Sequence, residues 1–394
     1  PVRRTVYKSK YGVTLKSKNG KYYALKFGAN ETVRTGEQWY RMNKAHDLEE
    51  FKSALNMQAM PGINVVYADK KHNIYYLCNG LFPYRNPNYD WKNVLPGDTS
   101  ATLWSLKFHP QTDLPQLLNP SCGYLVNTNN TPFNATCKGD NLDPEKYDKT
   151  MGLQMGDNNR SLRFHELISK HDLLSYEDFK KIKYDVGFND PTHNDFMENI
   201  DQLLNLDPEK YPDIAETINR LNNWDRITDI NSEPASVVVL SLKYIIDKLF
   251  EQGKIPGVTT ISEDLLVEAV RFARKHLIKY FGSTHIPLGT LQRHIRGDKN
   301  FPVGGAPDVL AAMHSSYAKK GILKSRHGDS YIELVRYSEK GVEIETVNCY
   351  GASNKKDSPH YTDQMDLYVN HQTKKMTLDK ESIFKEAEKI YHPE

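Results

Sequence analysis

Asparagine side chains cluster in residues 119–132, where Asn127, Asn129 and Asn130 follow a short apolar run at residues 124–126. An amide N–H that is held rigidly can stabilise the negative charge that develops on a carbonyl oxygen during acyl transfer. Asparagine-rich segments are also typical of turns, in which the side chains bond their own backbone. From the residues alone, the segment supports both interpretations, an oxyanion site and a turn.

Other catalytic patterns are missing from the sequence. It contains no Gly-x-Ser-x-Gly elbow, no His-Glu-x-x-His and no glycine-rich phosphate or dinucleotide loop. His294, His327 and His360 stand singly near arginine or aspartate, which is typical of structural histidines. Pro1 carries a secondary amine that can act as a base if burial lowers its pKa, but the basic run after it favours a processing boundary.

The composition excludes several classes of protein. Lysine and arginine total 52 against 50 acidic residues, so the net charge of +2 gives no support for nucleic-acid binding. No apolar run reaches 18 residues, so no membrane span is predicted. With 394 residues the chain is long enough for two or three domains.

Four cysteines are too few for a disulfide scaffold, and no C-x-x-C pair indicates a zinc or redox site. Cys122 and Cys137 flank the asparagine cluster. They can form a bridge, and a free buried thiol is an equally good interpretation.

The elements that must position the cluster are predicted from local patterns. The asparagine cluster follows a strand-like run at 124–126, and residues 81–120 form a long irregular segment typical of a functional wall or lid. Asn19-Gly20 and two further polar turns predict three hairpins, at 5–14 with 22–27, 63–68 with 74–78, and 330–336 with 342–348. Apolar periodicity and capping residues predict helices at 37–44, 47–57, 158–168, 179–184, 196–206, 214–224, 237–250, 262–281, 309–317, 359–368 and 378–391.

A set of short motifs, taken in order along the chain, resembles one enzyme family. They are NVVYAD at 64–69, PYR at 83–85, DW at 90–91, LPGD at 95–98, LPQ at 114–116, NP at 119–120, GY at 123–124, WD at 224–225, RGD at 296–298, GGAPD at 304–308, GDSY at 328–331 and SPHYTDQ at 358–364. In order and spacing the chain resembles the large subunit of penicillin-amidase-type N-terminal-nucleophile hydrolases, most closely the acyl-homoserine-lactone and aculeacin acylase branch.

This resemblance implies an activity and three site residues. In the family an amino-terminal serine, freed by autocleavage, attacks the amide carbonyl, and its own α-amino group serves as the base. Asn129 matches the side-chain oxyanion donor. Arg160 matches the arginine that orients the surroundings of the nucleophile, and Arg163 is the fallback because the insertion before it is longer here. Asn127 and Asn130 are expected to remain turn amides.

The resemblance also implies the fold. We expect an α+β chain that forms part of an αββα sandwich of antiparallel sheets with an inserted helical domain. The expected division is a β-rich part at residues 1–150, a helical domain at 151–326, and a hairpin with helices at 327–394 that return to the core.

The resemblance implies the partners and the location. Because residues 1–6 resemble neither a signal peptide nor a start methionine, we expect the chain to begin inside a longer precursor. The expected partners are an N-acyl amide substrate, the upstream large-subunit segment with the serine, and the small subunit. Export to the periplasm or the medium is implied. No cofactor is expected; a structural calcium occurs in the family, but the spacing of Asp140, Asp143 and Asp157 fits no metal loop.

Two functions follow from these observations. The first is part of an acylase that cleaves an N-acyl amide such as penicillin or an acyl-homoserine lactone, with a serine nucleophile that lies outside this chain. The alternative is a non-catalytic fragment or partner subunit that binds a companion chain. Both predict that this chain alone is inactive.

Overall fold

The computed structural model describes Arg3 and residues 5–193, 199–254, 259–339 and 341–392. The chain divides into two compact units, Pro1–Asp157 and Asn158–Glu394, and each is described by itself. The division predicted at residues 150 and 326 stays a prediction. Residues 196–198 of the predicted helix at 196–206 lie outside the described ranges.

The first unit begins with a three-stranded antiparallel sheet. Its strands are β1 (Tyr7–Ser9), β2 (Gly12–Lys16) and β3 (Tyr22–Leu25). The Asn19-Gly20 turn joins β2 to β3, which confirms the first predicted hairpin, and Gly20 has a φ of +82°. A second tight turn at Lys10 and Tyr11, just before Gly12, splits the predicted first strand into β1 and β2. Gly12 is required there, because a Cβ would lie 2.1 Å from the carbonyl oxygen of Leu25.

Two helices follow the sheet, α1 (Thr35–Lys44) and α2 (Leu48–Leu55). The Asp47 side chain accepts a hydrogen bond from the backbone N–H of Glu50, so Asp47 is the N-cap of α2. Leu48 and Leu55 are buried and join the core beneath the second sheet.

The second sheet of this unit consists of β4 (Ile63–Ala68), β5 (Ile74–Asn79) and β6 (Gln116–Leu118), all antiparallel. The second predicted hairpin, β4 with β5, is confirmed. β5 is the central strand, and its side chains Tyr75, Tyr76 and Leu77 are almost completely buried. This sheet and α2 form the main core of the unit.

Long irregular segments flank β6. Residues 80–115 and 119–157 form turns and extended chain, with 3-10 turns at Ser100–Thr102, Gln111–Asp113, Pro132–Asn134, Pro144–Lys146 and Lys149–Met151. The predicted strand at residues 124–126 is wrong. There the backbone N–H of Val126 bonds the carbonyl of Ala135, across the loop that carries the asparagines, instead of entering a sheet.

The second unit contains most of the helices. Its α-helices are α3 (Asn159–Ile168), α4 (Tyr176–Lys183), α5 (Ala215–Asn222), α6 (Glu233–Glu251), α7 (Glu263–Phe281), α8 (Leu288–Leu291), α9 (Met365–Val369) and α10 (Lys380–Glu386), with 3-10 turns at Ile200–Leu204, Lys319–Gly321 and Pro359–Tyr361. Asn158 and Ser175 cap α3 and α4. The two long helices, α6 and α7, pack on each other and form the largest apolar core.

Two sheets belong to the second unit. The first has the order β8-β7-β10-β9, formed by β7 (Gln292–Arg296), β8 (Lys299–Pro302), β9 (Met313–Tyr317) and β10 (Leu323–Gly328). The predicted helix at 309–317 is therefore wrong, because β9 pairs antiparallel with β10 through the register Ser316 to Lys324. The second sheet consists of β11 (Tyr331–Ser338), β12 (Gly341–Asn348) and β13 (Lys374–Met376), and it confirms the third predicted hairpin.

The predicted fold class is confirmed. Both units combine helices with sheets, and the pairing is antiparallel except for the short contact between β7 and β10. Within the described ranges, none of the helices combines the length and the apolar character that crossing a membrane requires.

Candidate functional site

The amide loop, residues 127–131, carries the predicted oxyanion donor in the first unit. Asn129 is exposed and its φ is +64°, in the left-handed region that asparagine tolerates better than most other residues. Its backbone N–H donates to the side-chain oxygen of Asn127 over 3.0 Å. The loop therefore presents Asn129 at the surface on a backbone that local bonds hold in place.

Asn130 lies below this surface and holds the loop together. Its side chain is buried, and its oxygen accepts hydrogen bonds from the backbone N–H and the hydroxyl of Thr128, at 3.0 and 3.2 Å. Its amide nitrogen donates to the carbonyls of Thr131 and Asn134, at 3.1 and 2.7 Å. The predicted turn role of Asn127 and Asn130 is confirmed, since both bond neighbouring backbone groups.

A disulfide joins Cys122 to Cys137 across the base of the amide loop. Of the two interpretations that the sequence left open, the bridge is the one observed. The Thr136 hydroxyl, next to Cys137, donates to the carbonyl of Tyr124 over 2.8 Å. Covalent and hydrogen-bonded contacts thus close both arms of the loop that carries Asn129.

Arg160 lies at the start of α3 in the second unit, just after the capping residue Asn158. The capping box is complete, since the Asn158 side chain accepts from the Ser161 N–H and the Ser161 hydroxyl accepts from the Asn158 N–H. The guanidinium Nε of Arg160 donates to Asp308 Oδ1 over 3.0 Å. The Asp308 side chain is almost fully buried, while that of Arg160 is one-quarter exposed.

Asp308, the partner of Arg160 in the second unit, is a residue for which the sequence predicted no role. Besides Arg160, its carboxylate accepts the backbone N–H of Asn159 over 2.9 Å, and its own carbonyl accepts the Asn159 amide over 2.9 Å. Its φ is +68°. The available signal was its place at the end of the GGAPD motif, but its partners lie almost 150 residues away in the sequence.

Arg163 is the alternative to Arg160 for the orienting role, and its guanidinium forms ion pairs with two carboxylates. Its guanidinium makes two bonds to Asp185, at 2.9 and 3.1 Å, and a third to Glu166 at 2.9 Å. The hydrogen bonds that Arg163 donates to Asp185 raise the pKa of Arg163 above its usual value. Gly187 packs against the guanidinium, where a Cβ would lie 2.8 Å from a nitrogen. These contacts give Arg163 a structural role in the second unit, and the orienting role of Arg160 stays a prediction.

The three aspartates considered as calcium ligands have separate structural roles. Asp140 accepts a hydrogen bond from the Ser121 hydroxyl over 2.7 Å, Asp143 caps a 3-10 turn, and Asp157 accepts from the Asn134 amide over 2.9 Å. Among the described residues, the group with metal-ligand geometry is Cys122, Cys137 and Asp140, and both of its sulfurs are in the disulfide.

Comparison with known proteins identifies the family. The profile of the penicillin amidase family matches residues 1–385. The chain belongs to the penicillin amidase family. The acyl-homoserine lactone acylase PvdQ of Pseudomonas fluorescens (strain Pf0-1) is 21% identical over 97% of this chain and 54% of its own length. The penicillin G acylase of Escherichia coli is 34% identical over 24% of this chain and 11% of its own length.

A solved structure shares the fold. The thermostable penicillin G acylase from Alcaligenes faecalis superposes with a TM-score of 0.59 over 99% of this chain and 79% of that chain, at 18% sequence identity. The predicted resemblance and the fold of the N-terminal-nucleophile hydrolases are therefore confirmed. The chain spans about half the length of the acyl-homoserine lactone acylases that it matches.

Proposed function

We propose that this chain is part of an acylase that hydrolyses the amide bond of an N-acyl substrate, such as penicillin or an acyl-homoserine lactone. The observation that carries the proposal is the amide loop, which presents Asn129 on a left-handed backbone over the buried Asn130. Membership of the penicillin amidase family supports amide hydrolysis as the reaction. The names of the relatives supply the two substrate classes.

In the proposed reaction, an amino-terminal serine hydroxyl supplied from outside this chain attacks the amide carbonyl, and its α-amino group takes the proton. The Asn129 amide N–H donates to the oxyanion that forms, which lowers the energy of the tetrahedral intermediate. The amine then leaves with a proton, and water hydrolyses the acyl-enzyme to the free acid. Arg160, held by Asp308, orients the surroundings of the nucleophile in this proposal.

Export to the periplasm or the medium is part of the proposal. The disulfide between Cys122 and Cys137 supports it, because structural disulfides persist mainly in oxidising compartments. The proposed partners are the segment that carries the serine and the small subunit of the same precursor.

Activity measurements on two samples test the proposal against the non-catalytic alternative. This chain alone, and the processed full-length protein that contains it, are assayed with penicillin G and with an N-acyl homoserine lactone. We expect the chain alone to show no activity. The full-length protein should release the carboxylic acid of the acyl group from at least one of the two substrates. A full-length protein that is folded but inactive on both substrates would support the non-catalytic alternative.

Substitution of Asn129 tests its role in the full-length protein. Asn129→Gly removes the amide and keeps the left-handed backbone, so folding is preserved while the oxyanion loses its donor. We expect kcat to fall about 10²- to 10³-fold, as for other oxyanion donors. Asn119→Gly is the matched control, because Asn119 is an exposed asparagine of the same unit with a φ of +47°, and its turnover should stay unchanged. Near-normal turnover of Asn129→Gly would remove Asn129 from the mechanism.

A further inference from the structure

An aromatic cavity of about 430 Å³ opens on the second unit, and its lining includes none of the predicted site residues. Much of its wall comes from one face of α7, on which Phe272, His276 and Tyr280 follow at four-residue spacing, and Tyr317 of β9 closes another side. The volume lies within the range of about 300–1,000 Å³ that small-molecule sites occupy. The lining is predominantly apolar, which suits a ligand with a flat hydrocarbon surface.

The aromatic rings contact one another and form a continuous surface. The Phe272 ring lies edge-on to Tyr317, with centroids 6.2 Å apart, and the His276 ring lies 4.8 Å from Tyr280 and 5.9 Å from Tyr317. On its other side, Phe272 stacks on Tyr244 of α6 at 4.6 Å. This arrangement offers both ring faces and ring edges to a bound aromatic group.

Gly321 fixes the floor of the cavity. Its φ is +75°, and a Cβ there would lie 2.3 Å from the Tyr280 ring, so the ring rests directly on the glycine backbone. The carbonyl of the same residue accepts a hydrogen bond from His276 Nε2 over 2.7 Å. Because a carbonyl only accepts, Nε2 carries the proton. Burial lowers the pKa of His276, so its ring is neutral near pH 7.

The positive charge at the cavity comes from two lysines of α7, Lys275 and Lys279, which line it four residues apart. Within the ranges that the structure describes, neither has a carboxylate at ion-pair distance, whereas Lys243 of α6 is paired with Asp247 at 3.0 Å. Two cations at this spacing on a helix repel each other. Lys279 Nζ lies over the Tyr280 ring, 4.9 Å from its centroid, so a bound anion would relieve the repulsion and add a counter-ion beside that ring.

We propose that this cavity binds a small aromatic carboxylate, whose ring lies among Phe272, His276, Tyr280 and Tyr317 and whose carboxylate is bound by Lys275 and Lys279. Aromatic rings and cations at one site select this class, since an aliphatic acid lacks the stacking surface and a neutral arene lacks the charge. The proposal does not depend on acylase activity, and it concerns residues that have no role in the proposed reaction.

Titration of this chain with 2-naphthoate tests the proposal, with the fluorescence of the probe as the readout. We expect saturable binding of one probe per chain with a Kd below about 1 mM. The neutral analogue 2-naphthamide and the non-aromatic cyclohexanecarboxylate should each bind at least about tenfold more weakly. Raising the ionic strength should weaken the binding of 2-naphthoate, because the lysines are exposed.

Paired variants localise the site. The double variant Lys275→Gln with Lys279→Gln should weaken the binding of 2-naphthoate about tenfold or more. Lys355→Gln with Lys356→Gln removes the same charge from an exposed loop and should leave binding unchanged. The lysines are exposed, so both variants should fold. Absence of saturable binding to the native chain, equal weakening by the two double variants, or equal affinity for 2-naphthoate and 2-naphthamide would each overturn the proposal.

Discussion

Two neighbouring asparagines have different tasks at the scale of single residues. Asn129 is exposed at the top of the amide loop, where its amide can meet a substrate carbonyl in the proposed reaction. Asn130 is buried and makes four hydrogen bonds to the loop around it. The same residue type thus serves the proposed chemistry at one position and stability at the next, because burial differs between them.

Asn130→Ala should destabilise the first unit without touching the proposed chemistry directly. The substitution removes the four hydrogen bonds that the Asn130 side chain makes with Thr128, Thr131 and Asn134, which should cost about 1–3 kcal/mol of unfolding free energy. Urea unfolding followed by tryptophan fluorescence in a Trp224→Phe background reports on this unit. The exposed Asn93→Ala is the control, with an expected change within about 0.5 kcal/mol. Equal losses in the two variants would contradict the role of Asn130.

At the scale of elements, turns and helix ends set where strands and helices stop. The Asp69 carboxylate organises the β4–β5 turn by accepting hydrogen bonds from the Asn73 side chain and backbone, the Tyr67 hydroxyl and the Lys71 backbone. Partial burial opposes its ionisation, but these bonds outweigh it and hold the pKa of Asp69 at about 2. The turn therefore depends on the charged form of one side chain.

The contribution of Asp69 should disappear in acid. Because its pKa is lower in the folded than in the unfolded chain, its stabilisation is fully present above the unfolded pKa of about 4, and it is lost as the pH falls towards 2. The difference in unfolding free energy between the native chain and Asp69→Asn should therefore be largest at neutral pH and shrink between pH 4 and 2. Urea unfolding at several pH values measures it, and a constant difference would contradict the assignment.

Gly282 ends α7 in the left-handed conformation, with a φ of +77°, and a Cβ added to it would meet no atom within 4 Å. Gly282→Ala should therefore cost about 1 kcal/mol of unfolding free energy through the backbone alone. Gly36 in α1 also has open space around it and a helical backbone, so Gly36→Ala should be neutral or stabilising by up to about 1 kcal/mol. Thermal unfolding compares the two, and equal signs would contradict the explanation.

At the scale of the whole molecule, the chain consists of two units, each with its own apolar core. The first is built around Leu55, Tyr75 and Leu77, and the second around α6 and α7. The disulfide belongs to the first unit alone. A change that acts on the disulfide should therefore affect one core and leave the other intact.

Removing the disulfide should lower the stability of the first unit only. The bridge closes a loop of 15 residues, for which the loss of unfolded-chain entropy is worth roughly 3 kcal/mol. Cys122→Ser with Cys137→Ser should reduce the unfolding free energy of this unit by about that amount. Trp224, buried in the second unit, supplies the control signal, and its transition should not move. A parallel loss in both transitions would show that the cores are not independent.

Local signals predicted much of the fold. The Asn19-Gly20 turn and the caps Asp47 and Ser175 act within a few residues, so the sequence reveals them directly. Residues 309–317 have helical apolar spacing, yet β9 is a strand because it pairs with β10. The role of Asp308 could not be predicted for a similar reason. Its partner Arg160 lies far away in the sequence, so local patterns do not reveal the contact. Asn129 was located by resemblance, and its role stays a prediction.

The backbone at Asn129 restricts which sequences this position can explore. At a φ of +64°, alanine and larger or branched side chains are penalised sterically, which leaves asparagine, aspartate and glycine as the well-tolerated residues. In the proposed reaction, glycine would offer no side-chain donor, and aspartate would bring a negative charge towards the oxyanion. Conformation and the proposed chemistry together therefore favour asparagine at this position. In a working acylase, we expect residue 129 to remain asparagine while the other positions of the amide loop vary.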